Sequence, residues 1–71
     1  MNLINIINKI SESTGIGFET AEMVVQEYKY RYPVSFTNPN KTELMQEIIE
    51  MIERAKKHGE YGASKIVAFY S

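Results

Sequence analysis

Apolar residues return at three- and four-residue spacing in three separate stretches of this 71-residue chain, a period that belongs to helices packed through one face. The first stretch runs through Leu3, Ile4, Ile6, Ile7 and Ile10, with Asn2, Asn5, Asn8, Lys9 and Ser11 between them. It predicts a helix from about residue 2 to 14, closed by Gly15 in the left-handed conformation, with Ile16 folding back on Ile10. The second stretch uses Phe18, Ala21, Val25, Tyr28 and Tyr32. Gly17 suits its N-cap, Glu19 and Glu22 fall in the first turn where the helix dipole favours anions, and Pro33 restricts Tyr32 and ends it. Tyr28 to Tyr32 also alternates with period two and is rich in β-formers, so an extended segment from near Tyr28 is the alternative.

The third stretch is the clearest. Asn40 with Glu43 three positions on resembles a capping box, and it opens the series Leu44, Met45, Ile48, Ile49, Ile52 and Ala55. Glu50 with Arg54 and Glu53 with Lys57 stand at the favourable i, i+4 spacing, and Gly59 follows a cationic last turn. Between the second and third helices, Pro33 to Asn40 reads as an extended connection that pins Val34 and Phe36 onto the core. In the tail, Ala63, Ile66, Val67 and Tyr70 fit a helical face, while the β-branched and aromatic run fits a short strand beside Val34 to Phe36. Helix is favoured. The expected fold is an all-α domain of three to four helices spanning residues 1–71, with a core of Leu3, Ile6, Ile7, Ile10, Ile16, Ala21, Val25, Tyr28, Leu44, Ile48, Ile52 and the tail.

A chain this short builds only a thin core and often needs reinforcement. Disulfides and thiolate-bound zinc are closed to it, because it has no cysteine. His58 is the one imidazole and there is no aspartate, so neither a metal site nor a catalytic dyad is expected, and no cofactor. No Gly-rich phosphate loop is present either, and the expectation is a protein that is not an enzyme. A hydrophobic share of 44% with 24% charged residues is that of a globular domain. No apolar run approaches the ~20 residues that span a bilayer, and residues 1 to 5 lack the basic and apolar regions of a secretory signal. A cytoplasmic protein with no membrane partner is expected.

Net charge is −1, which supplies no global field for a polyanion. The charge is nonetheless laid out in blocks: −3 over residues 1–28, +3 over 29–41, −4 over 42–53 and +3 over 54–65. The most specific local pattern lies across the first junction. Residues 10–25, Ile-Ser-Glu-Ser-Thr-Gly-Ile-Gly-Phe-Glu-Thr-Ala-Glu-Met-Val-Val, place a Gly at a tight turn, an apolar residue directly after it, a small cap and apolar residues that pack one helix on the other. This segment resembles the helix-turn-helix of small prokaryotic and phage regulators. That resemblance implies a second helix that reads the major groove, here through Phe18, Glu19, Thr20, Met23 and Gln26, with Lys29 toward the backbone. Glu19 and Glu22 depart from the pattern, since each carboxylate would oppose the phosphate field that supplies most of the affinity. The bland reading is a plain connection between two short helices.

Two further segments carry cations. Tyr28 to Tyr32 alternates three tyrosines with Lys29 and Arg31, which suits stacked bases and tracked phosphates, a protein interface, or a core with a wet rim. Arg54, Lys56 and Lys57 beside His58 can meet phosphate or an acidic partner, or simply complement the helix end. Met23 and Met51 are read as lying off the main apolar stripes, and with Gln26 and Tyr30 they form the expected protein-binding surface. The leading expectation is a small protein-binding modulator, inhibitor or adaptor. The alternatives are a DNA-binding regulator using Thr20, Met23, Gln26, Lys29, Arg31, Arg54, Lys56 and Lys57, and a structural subunit that self-associates. Small size and Asn/Ile/Lys/Glu-rich usage are similar in style to accessory proteins of phages and mobile elements from low-GC bacteria.

Overall fold

In a computed structural model that describes residues 2–70, five helices follow one another along the chain: α1 (Leu3–Thr14), α2 (Phe18–Arg31), α3 (Pro33–Phe36), α4 (Lys41–Lys57) and α5 (Ala63–Val67). There is no strand among the described residues. Met1 and Ser71, the two ends of the expected 1–71 domain, lie outside them.

The helix ends follow from local chemistry. The Asn2 side chain accepts from the Asn5 amide at 2.9 Å, and the Asn40 side chain accepts from the Glu43 amide at 3.1 Å, so each long asparagine-capped helix has one of its orphan donors satisfied. The reciprocal half of the capping box does not form. The Glu43 carboxylate instead accepts from the Asn38 side chain at 3.2 Å, which ties the preceding loop to the first turn of α4. At the end of α1, Gly15 sits at φ 78° and donates to the Ser11 carbonyl, while the Ser11 hydroxyl donates to the Ile16 carbonyl at 2.6 Å. At the end of α4, Gly59 at φ 73° donates to Lys56 and Glu60 donates to Ala55, the paired bonds of a Schellman motif. A side chain at Gly15 would meet no neighbour, so the cost of filling it is conformational alone. Gly15→Ala is expected to lower stability by about 1 kcal/mol, read as a lower urea midpoint with an unchanged slope.

The core gathers Ile6, Ile7 and Ile10 of α1, Ala21, Val24, Val25 and Tyr28 of α2, Leu44, Met45, Ile48, Met51, Ile52 and Ala55 of α4, and Ile66 and Val67 of α5. α2 packs on α1, α3 and α5, and α4 packs on α1 and α5. The short α5 therefore closes the interior from the end of the chain. It also settles the tail as helix, and no strand partner exists for it because Pro33–Phe36 is itself helical.

The structure departs from expectation in the connection and at the edge of the core. Pro33 to Asn40 is not wholly extended: Pro33, whose φ is already set for a helix and whose missing N–H costs nothing at that position, starts the turn of α3. That turn directs Phe36 onto the core and leaves Val34 outside at 84% exposure. Leu3 is 43% exposed because it stands at the first position of α1, beyond the reach of the core that starts at Ile6. Ile16 is half-buried, packed against the core from its edge. The alternative of extended chain from Tyr28 does not occur, since α2 continues to Arg31.

An aromatic cluster locks α2 to the end of the chain. Tyr28 is fully buried, with its ring centroid 4.9 Å from Tyr70 in an edge-on arrangement and 5.6 Å from Tyr32, and Tyr32 lies 4.5 Å from Tyr70. Such pairs add to plain burial because ring edges and faces carry opposite partial charge. The Tyr28 hydroxyl donates to Glu47 at 3.3 Å, and the hydroxyls of Ser35 and Tyr70 are 3.1 Å apart. Burial pushes the Tyr28 hydroxyl well above the ordinary tyrosine range, with Tyr70 as the next cause.

Candidate protein-binding face of helix α2

α2 has two sharply different sides. Ala21, Val24, Val25 and Tyr28 are buried, and on the opposite side Glu19, Met23, Gln26 and Tyr30 recur at spacings of four, three and four and all face solvent. Met23 is 58% exposed and Tyr30 84%. The structure thus brings three of the expected contact residues, Met23, Gln26 and Tyr30, onto one stripe. Phe18, 40% exposed, stands at the start of the same helix, and Glu22 and Lys29 flank the stripe two turns apart on one side.

Met51, the fourth residue expected at that surface, is fully buried. It stands seven residues after Leu44, three after Ile48 and four before Ala55, which is the spacing of the core stripe itself. α4 is covered on two sides, by α1 and by α5, so its apolar face must be wider than the Leu44–Ile48–Ile52 line. Spacing could have placed Met51 inside. Nothing in the sequence states that α5 packs on α4.

Two cations of the alternative, DNA-binding set, Arg31 and Lys56, are committed within the fold. Arg31 pairs with Glu27 at 2.6 Å, one helical turn back, and donates to the Ser64 hydroxyl at 2.6 Å, tying the end of α2 to α5. Lys56 donates to the Thr14 carbonyl at 2.6 Å and lies 3.9 Å from Glu53, so it neutralises the carbonyl end of α1. Glu53 accordingly faces Lys56, not the expected Lys57. Lys29 and Lys41 both approach the Phe36 ring, at 5.5 and 5.7 Å from its centroid, and Lys41 also donates to the Phe36 carbonyl. Thr20 is half-buried, and Lys57 and Arg54 are exposed on the last turns of α4. His58 caps α4 through its backbone and stacks its ring on Phe69 at 5.1 Å.

The turn between α1 and α2 is three residues, Gly15 to Gly17. Its geometry is set by the Gly15 cap and by the Ser11–Ile16 bond described above. The N-terminal turn of α2 nonetheless offers Glu19 to an approaching ligand, with Glu22 half-buried in the next turn. Elsewhere, Lys9, Glu12 and Ser13 of α1 and Met45, Gln46 and Ile49 of α4 line a groove of about 310 Å³. Among the described residues no group of three or more His, Cys, Asp or Glu side chains is placed to hold a metal ion, and no helix is long and apolar enough to cross a membrane. Set against known proteins, the chain matches no family model, no curated protein and no solved structure at significance.

Proposed function

We propose that this is a small protein-binding module of the modulator or adaptor kind, working through the outer face of α2. The observation that carries the reading is the solvent-facing stripe of Met23, Gln26 and Tyr30 on a helix whose other side is fully used by the core. A flexible thioether, an amide and a phenol on one rigid helix combine apolar area with adaptable polar contacts, the mixture that recurs at protein interfaces. Against nucleic acid stands the electrostatics of the same helix. Glu19 is exposed at its leading turn, while Arg31 and Lys56 are held by partners inside the fold. Phosphate contacts draw most of their affinity from cations, and an acidic approach surface works against all of them.

The test is a pull-down from bacterial lysate with tagged protein, run with and without nuclease and at two salt concentrations. A protein retained through nuclease and high salt by the wild type, and lost by at least tenfold with Met23→Glu or Tyr30→Ala, is the expected outcome. Retention of DNA that disappears with nuclease or modest salt would reverse the reading.

A further inference from the structure

We propose that the outer face of α2 is self-complementary and that its partner is a second copy of this chain, packed antiparallel about a two-fold axis. The inference rests on the protein-binding reading above and names the partner of the same face.

Register decides the geometry. On an antiparallel helix pair related by a two-fold axis, each residue meets the one an equal distance beyond the axis, and the two subunits use the same patch. With the axis midway between Val24 and Val25, Met23 meets Gln26 and Tyr30 meets Glu19, each contact occurring twice. The Tyr30 ring then lies over the first turn of the facing helix beside Phe18, and its hydroxyl is placed to donate to the Glu19 carboxylate. On the flank, Glu22 and Lys29 are symmetric about the midpoint between Val25 and Gln26, one residue or about 1.5 Å from that axis, so each Glu22 carboxylate approaches the opposite Lys29. Parallel packing would instead bring Glu19 and Glu22 against their own copies.

The dipoles agree with the charges. Antiparallel packing sets the positive end of one helix beside the negative end of the other, and it brings the acidic first turn of each against the cationic last turn of its mate. A thin 71-residue core gives such reinforcement something to add, through stability that depends on concentration. Only one helix of about 21 Å from each subunit supplies the contact, which makes a small interface beside the ~1,600 Å² that a standard one buries. The pair is therefore weak, populated toward millimolar and dissociated at low micromolar concentration.

Charge reversal tests both the pairing and its geometry. Sedimentation equilibrium on the full chain should show a monomer–dimer equilibrium for the wild type, and at least a tenfold weaker one for Glu22→Lys and for Lys29→Glu alone. Mixed one to one, the two variants should recover dimer, because both cross-contacts then join a lysine to a glutamate. Circular dichroism confirms that each variant keeps its helices; should Glu22→Lys unfold, Tyr30→Ala, at a position 84% exposed, tests the same pairing through loss of its contact with Glu19 and should also weaken the dimer at least tenfold. A wild type that stays monomeric to millimolar concentration overturns the self-pairing, as does a mixture that associates no better than its components. Either result leaves the protein-binding reading to its own test, which depends on Met23 and Tyr30 and not on dimer formation.

Discussion

Tyr28→Ala is expected to remove about 3–5 kcal/mol of stability, the usual cost of truncating a buried aromatic residue. A chain of this length has roughly 4–10 kcal/mol in all, so the variant should be largely unfolded or held only marginally at room temperature. The reason is where the ring sits. Tyr28 is fully buried and touches both Tyr32 and Tyr70, so its loss opens a cavity and also detaches the end of the chain from α2. Thermal melts and near-ultraviolet circular dichroism would record the loss of both. If Tyr28→Ala instead kept a melting temperature within a few degrees of the wild type, the aromatic cluster would not be holding the tail.

Tyr28→Phe separates packing from the hydroxyl. It keeps the ring and removes one long hydrogen bond to Glu47, so it should cost no more than about 1 kcal/mol at neutral pH. Its pH dependence should differ from that of the wild type. The folded state raises the Tyr28 hydroxyl above its unfolded value near 10.0, so this stabilisation is fully present below that pH. It is lost as pH rises above 10.0 toward the folded value, because the unfolded chain gives up a proton that the folded chain retains. Tyr28→Phe should flatten the alkaline limb of the stability curve.

The second large effect is a contrast between two methionines. Met51→Glu should unfold the protein, because a carboxylate at a fully buried position has neither water nor a partner cation among the apolar residues around it. Met23→Glu, on the solvent-facing stripe of α2, should change stability by no more than about 0.5 kcal/mol. Equilibrium denaturation of the two variants side by side decides the point. Equal tolerance of the two substitutions would mean that α5 does not cover α4 as described. Met23→Glu should still disrupt binding, and it is the cleaner probe of function because the fold survives it.

The sequence carried the long helices well because their signals are local. Gly17 and Asn40 as caps, Gly15 and Gly59 as stops, and apolar spacing in between depend only on neighbours within a turn or two, and each stands where it was read, although Glu43 does not complete the capping box and the Asn2 cap was not foreseen. The outer stripe of α2 was legible in part for the same reason, since Met23, Gln26 and Tyr30 fall opposite Ala21, Val25 and Tyr28 by helical periodicity alone. Pairings across the fold were not legible. The bond from Lys56 to Thr14 spans 42 positions and that from Arg31 to Ser64 spans 33, and nothing near any of these residues announces its partner. The cationic clusters consequently looked more available than they are.

Taken alone, the sequence determined that this chain is helical, where its long helices begin and end, and which side of each carries most of the apolar residues. Those properties follow from backbone capping and a 3.6-residue period, which need no distant contact. Only the tertiary structure decided that Met51 is core, that Val34 is surface, that the tail is a helix closing the interior and that α2 keeps one full face free. Burial depends on which helices meet and from how many directions. α4 lies against α1 and α5 and buries Leu44, Met45, Ile48, Met51, Ile52 and Ala55 over a wide arc, while α2, although it meets α1, α3 and α5, leaves the stripe from Glu19 to Tyr30 in solvent.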